Sequence, residues 1–162
     1  MNKNDQIKLF DFLVKNKVEN FLGVPDSTMK HFINRGLEKN KIIITTKEEE
    51  AIGIATGMSL CKSKSLVFMQ NAGFGNSIST ITSLVQLYKI PLIFLIGWRG
   101  YLSSDAPEHL LFGKIQPEIL KSLGMNTHIL DSKTWQKSAK WALDTISKGN
   151  SCALVIKREF HD

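Results

Sequence analysis

The period of apolar and polar positions changes repeatedly along the chain, and each change marks an element. Ile7, Phe10, Leu13 and Val14 recur at helical spacing, which predicts a helix from about Asn4 to Lys15. Val18 to Val24 is apolar and β-rich and stops at Pro25, a first strand. Asp26 or Ser27 then caps a helix that runs to Glu38 and buries Met29, Phe32, Ile33 and Leu37. A short β-branched strand, Ile42 to Thr45, precedes a helix from Glu48 to Leu60. In that helix the small residues Ala51, Gly53, Ala55 and Gly57 allow close packing on a neighbour. Leu66 to Met69 reads as a strand, Asn76 to Tyr88 as a helix and Leu92 to Ile96 as another strand. Trp98 to Gly113 has no clear period and is expected to be a long loop, a length more often functional than idle. A helix near Pro117 to Leu123, a strand at Thr127 to Leu130, a helix from Ser132 to Ser147 and a strand at Ala153 to Lys157 complete the pattern.

Strands that alternate with helices and are apolar throughout require a sheet covered on both faces. The expectation is an α/β fold: one doubly wound domain over 1–162, with a parallel sheet of roughly six strands. Ligands of such sheets bind beyond the carboxyl ends of the strands. Three polar segments fall there: Pro25-Asp26-Ser27, Gln70 to Asn76, and Gly97 to His109.

Composition narrows the function classes. With 43% hydrophobic and 22% charged residues the chain is ordinary for a soluble globular domain. Its longest apolar run of strand type, Ile90 to Ile96, is too short to span a membrane, and no membrane association is expected. Met1 to Asp5 lacks a signal-peptide core, so a cytoplasmic location is expected. The net charge of +6 comes from lysines scattered over solvent faces (Lys3, Lys8, Lys15, Lys17, Lys30, Lys39, Lys41) rather than from a basic stripe with aromatics. Nucleic acid is therefore not an expected partner, whereas an anionic substrate or acidic protein suits the field. Cys61 and Cys152 are far apart in apolar segments and are expected to be buried thiols.

Three consecutive glutamates open the third helix. Glu49 and Glu50 are accounted for by the helix dipole. Glu48, next to a strand end, is placed to reach the cleft and hold a proton for a bound ring nitrogen. The run Gln70-Asn71-Ala72-Gly73-Phe74-Gly75-Asn76 suits a tight strand-to-helix turn with Asn76 as N-cap; it has neither dinucleotide nor P-loop spacing. His31, His109, His128 and His161 form no metal pattern. His109 differs from the others because it shares a segment with Arg99, Asp105 and Glu108. Arg99 suits an acidic head group, and it equally suits an ion pair with Asp105 or Glu108 that fixes the loop.

Several segments occur together in order. They are Gly23-Val24-Pro25-Asp26-Ser27, Glu48 followed nine residues later by Gly57, Met69 to Asn76, Ser83-Leu84, Tyr88-Lys89-Ile90-Pro91 and Trp98-Arg99-Gly100. From about Phe21 to Met125 the chain resembles the thiamine diphosphate-dependent decarboxylases of phosphonopyruvate and sulfopyruvate. The resemblance implies a pyrimidine-binding domain in which Glu48 hydrogen-bonds the aminopyrimidine ring and promotes its imino tautomer. By the same resemblance, Pro25, Asn71, Gly73 and Asn76 belong to the cofactor site, and Asp26, Ser27, Gln70, Arg99 and His109 to the substrate site.

The Gly-Asp-Gly…Asn motif through which such enzymes hold the diphosphate and Mg²⁺ is missing from this sequence, and no room for a second domain follows Leu130. The resemblance thus implies an α subunit. Thiamine diphosphate would be shared with a β subunit that holds Mg²⁺, in a hetero-oligomer of at least two α and two β chains. The segment Asp105-Ala106-Pro107-Glu108-His109 resembles the phosphonopyruvate enzymes, which makes decarboxylation of phosphonopyruvate to phosphonoacetaldehyde the leading expectation. Sulfopyruvate is the alternative substrate, and a non-catalytic regulatory or scaffolding homologue is the alternative class.

Overall fold

The computed structural model describes residues 1–157, so His161 lies outside the described residues. Helix α1 (Lys3–Lys15) begins at Asn2, whose side chain caps the Asp5 amide, and leads into strand β1 (Val18–Gly23). Asp26 caps a short 3₁₀ turn, Ser27–Met29, that runs into α2 (Lys30–Glu38). Strand β2 (Ile42–Ile44), helix α3 (Glu48–Leu60) and strand β3 (Lys64–Gln70) follow, then α4 (Asn71–Asn76) and a helical turn α5 (Ile78–Thr80) that widens into a π-helix over Ile81–Gln86. Strand β4 (Ile93–Trp98), helix α6 (Pro107–Ser122), strand β5 (Thr127–Leu130), helix α7 (Trp135–Ser147) and strand β6 (Cys152–Lys157) finish the order.

All strand pairs are parallel, in the order β2-β1-β3-β4-β6-β5. This is the expected covered α/β sheet. Alternation along the central strands divides the core in two. Leu66, Phe68, Ile93, Leu95, Leu154 and Ile156 pack towards α1, α2 and α7. Val67, Met69, Phe94, Ile96, Ala153 and Val155 pack towards α3 and the helices between β3 and β5. Among the described residues no helix is long and apolar enough to cross a membrane.

The expected loop from Trp98 to Gly113 is largely a helix. Pro107 occupies the first turn of α6, and Pro117, expected near a helix start, lies inside it. A proline there removes the donor for the carbonyl four residues back, which is Gly113. The Trp98 indole Nε1–H supplies that donor at 2.8 Å, and the helix runs on. His109 is therefore a helical residue, not a loop residue.

The expected turn over Gln70 to Asn76 is also helical: α4 starts directly after β3, Gln70 is its N-cap residue, and Asn76 ends it rather than capping the next helix. The single helix expected from Asn76 to Tyr88 is broken. Hydroxyls of Ser77, Thr82 and Ser83 bond main-chain carbonyls three or four residues back, which competes with regular α geometry. In α3 the small residues divide: Ala51 and Ala55 are buried, whereas Gly53 and Gly57 lie exposed with nothing near them. Cys152 is buried as expected, but Cys61 is exposed because it follows the C-terminal end of α3 on the outer side.

Candidate active site

Backbone geometry brings the ends of β1, β3 and β4 together at one rim, since β3 is paired with both of the others. At the end of β1, Asp26 is buried. Its Oδ1 accepts the Thr28 amide at 2.9 Å and the Thr28 hydroxyl, while Oδ2 accepts Gln70 Nε2 at 3.0 Å. Ser27 beside it is exposed, as is Pro25. Thr28 has no place among the sequence-expected site residues; the signal for it was the Asp-x-Thr spacing of a side-chain-capped turn.

At the end of β4, Arg99 and Asp105 form a two-point ion pair, Nη2 to Oδ1 at 2.8 Å and Nε to Oδ2 at 3.0 Å. Asp105 also accepts the amides of Gly100 and Ala106, each at 2.8 Å. Hydrogen bonding to the guanidinium and to these amides holds the Asp105 carboxyl well below the usual carboxylate range, and the same pairing raises the Arg99 guanidinium further. Arg99 Nη1 points to Ser27 Oγ at 3.5 Å. Buried Asn71, the first residue of α4, donates its side-chain amide to the Arg99 carbonyl at 2.8 Å. Asp26, Ser27, Gln70, Asn71 and Arg99 thus share one network.

Glu48 belongs to the same rim from the other side. Its carboxylate lies over Gly73 of α4, where a Cβ would meet Oε1 at 2.0 Å. The three glutamates of α3 have separate fates. Glu50 turns back to accept the amide and hydroxyl of Thr46, at 3.0 and 2.9 Å, which closes the helix start and lowers its pKa. Glu48 is half-buried, and among the described residues no hydrogen-bond donor is paired with its carboxylate.

Two expected site residues stand apart. Asn76 is exposed at the far end of α4. His109 joins the rim through its main chain, whose carbonyl would lie 2.0 Å from a Cβ at Gly100; that glycine has φ +72°.

A carboxylate held against a glycine, half-covered and without a protein donor, is chemically suited to an N–H of a heteroaromatic ring. Near it stands an oriented guanidinium beside a hydroxyl, suited to an acidic group. Among the described residues no group of three His, Cys, Asp or Glu could hold a metal ion.

Comparisons with known proteins agree with this arrangement. Residues 7–124 match the thiamine pyrophosphate enzyme, N-terminal TPP binding domain. Over 111 residues the chain is 33% identical to the sulfopyruvate decarboxylase subunit alpha of Methanocaldococcus jannaschii, a match covering 67% of this chain and 65% of that protein. Over 115 residues it is 31% identical to the phosphonopyruvate decarboxylase of Streptomyces viridochromogenes, covering 69% of this chain and 29% of the other. The chain thus spans somewhat under two thirds of the first relative and less than a third of the second. Among solved structures, the benzoylformate decarboxylase of Polynucleobacter necessarius superposes with a TM-score of 0.71 at 18% identity, over 93% of this chain and 29% of that one. The match over most of the chain and the shared fold lead to one conclusion: the chain belongs to the thiamine pyrophosphate enzymes, through their N-terminal TPP-binding domain.

Proposed function

We propose that this chain is the pyrimidine-binding α subunit of a two-subunit decarboxylase acting on a 2-oxo acid with an acidic head group. The observation that carries this reading is the Glu48 carboxylate, held over Gly73 and left without a protein donor. Thiamine diphosphate, when bound, supplies the sink for the electron pair released as carbon dioxide leaves. Glu48 accepts a ring N–H, and its negative charge favours the protonated ring. Gly73 leaves that carboxylate its space, and Pro25 lines the exposed side of the same rim. Asn71 acts one step back, by holding the Arg99 main chain. Arg99 and Ser27 receive the acidic head. Asp26 and Gln70 keep the strand ends in register, and His109, at the start of α6, is the nearby imidazole available to move a proton.

Sulfopyruvate is the first choice of substrate. The Methanocaldococcus jannaschii relative is named as a subunit alpha, and the match spans most of it. Phosphonopyruvate, the expectation from the segment Asp105 to His109, is the second reading, favoured by the Streptomyces viridochromogenes relative. The diphosphate and Mg²⁺ need a partner, because the sequence contains no Gly-Asp-Gly. That partner is a β subunit, in an assembly of at least two copies of each chain. Co-purification with a Gly-Asp-Gly…Asn protein, followed by carbon dioxide release from sulfopyruvate and phosphonopyruvate, tests the reading. The mixture is expected to turn over, and this chain by itself is expected to be inert. Robust turnover by the chain without a partner would refute the split site.

A further inference from the structure

The Arg99–Asp105 pair is built from the carboxylate outward. Asp105 is fixed first by the main chain, since the Gly100 and Ala106 amides bind one oxygen each from opposite sides. Those two bonds already close the turn between Gly100 and Ala106, so a carboxylate that served the turn alone would be complete with them. The guanidinium is added to an acceptor whose place is set. Two of its nitrogens are taken, and Asn71 pins the Arg99 carbonyl, so the direction of the fork is decided at both ends. The Asp105 side chain is 2% exposed and that of Arg99 13%, and in such a site charge–charge contacts are weakly screened.

The pairing has a second effect, on charge. Arg99 is the cation of the rim, and Asp105 offsets it within hydrogen-bond distance. Asp26 and Glu108 add further negative potential at the guanidinium. A sulfonate head carries one negative charge. A phosphonate, whose second ionisation is taken to lie near that of a phosphate monoester at about 6, carries mostly two at neutral pH. An offset guanidinium with Nη1 beside the Ser27 hydroxyl matches the monoanion; a dianion would meet two buried carboxylates and one shared cation.

We propose that Asp105 is a positioning and specificity-determining residue: it aims Arg99 Nη1 at the substrate head beside Ser27 and offsets the guanidinium charge, so that a sulfonate is preferred to a phosphonate. The inference rests on the decarboxylase reading given above. It assigns to Asp105 no contact with substrate.

The test uses the chain assembled with its partner subunit and compares kcat/KM for phosphonopyruvate and for sulfopyruvate. Asp105→Asn keeps the shape and removes the charge. The ratio of phosphonopyruvate to sulfopyruvate efficiency is expected to rise roughly tenfold or more, the scale of one partly screened charge contact. A purely structural role would lower both efficiencies alike, so an unchanged ratio in a folded variant overturns the inference. Arg99→Lys covers the case in which Asp105→Asn does not fold. It keeps the charge and loses the fork, and it is expected to raise KM for sulfopyruvate about tenfold while kcat stays within about threefold. Arg99→Lys kinetics equal to the parent would overturn the positioning role. A parent assembly idle on both acids would instead remove the decarboxylase reading, and this inference with it.

Discussion

Glu48 and Gly73 occupy one space: a methyl group on residue 73 would lie 2.0 Å from Glu48 Oε1 and 2.3 Å from its Cδ. Real Cβ atoms do not approach oxygen so closely, so the carboxylate stays where it is only while position 73 is glycine. Alanine is the better helix former by about 1 kcal/mol. Gly73→Ala should therefore leave α4 helical and push the Glu48 carboxylate aside. Turnover of the assembled enzyme is expected to fall by roughly 10²-fold or more, as for Glu48→Gln, the usual scale for a positioned proton-transfer group. Glu49→Gln is the control. Steady-state rates on the three variants check this, and an equal loss in Glu49→Gln would move the site to another glutamate.

The opposite behaviour is expected at Gly53 of α3, where a Cβ would meet nothing within 4 Å. Gly53→Ala should stabilise the isolated chain by about 0.5–1 kcal/mol, by propensity and by reducing the freedom of the unfolded chain. Urea midpoints measure this. A destabilised variant would mean that α3 is not helical at this point.

Trp98 and Pro117 form a linked pair through the Gly113 carbonyl. Trp98→Phe removes the donor and leaves that carbonyl without a partner, a loss of about 1–3 kcal/mol. Pro117→Ala restores an amide four residues on, so adding it to Trp98→Phe should recover part of the loss. A double-mutant cycle in denaturant reads the coupling directly. Additive effects would show that the indole does not serve the helix.

Acid should act on the Arg99–Asp105 pair with a definite sign. The folded Asp105 pKa is depressed, chiefly by its hydrogen bond to Arg99. Its contribution to stability is present in full above the unfolded value, about 3.9, and is lost as pH falls towards the lower folded value. The stability gap between the parent and Asp105→Asn should be constant from about pH 7 to 5 and narrow below about pH 4. A gap as wide at pH 3 as at pH 7 would count against the pair as the source.

Much of the fold was readable because it depends on near-neighbour pattern. Leu66 to Met69 and Leu92 to Ile96 are apolar at every position, which is what a strand buried on both faces requires. The convergence of Asp26, Gln70 and Arg99 followed from strand ends alone. What could not be read depends on partners distant in sequence. Continuation of α6 through Pro117 relies on Trp98, nineteen positions earlier. The helical form of Asn71 to Asn76, with two glycines, relies on tertiary contacts: Glu48 over Gly73, and the Phe112 ring, which would lie 2.5 Å from a Cβ at Gly75. Gly-rich segments lose to propensity in isolation and are rescued by packing. The fate of Cys61 turned on which side of α3 its end faces, and the flat apolar pattern there did not distinguish the sides.

The place of β6 has a consequence for how the molecule is made. It lies between β4 and β5, with Ile93 registered against Cys152 and Thr127 against Ala153. During synthesis β5 emerges with no neighbour to pair with, and the apolar edge of β4 stays open until Cys152–Lys157 has left the ribosome. Closure of the sheet is thus a late event joining segments nearly sixty residues apart, the kind of contact that slows folding and leaves strand edges exposed meanwhile. A chain cut before Cys152 would keep β2, β1, β3 and β4 as a half-sheet and strand β5 without a place in it.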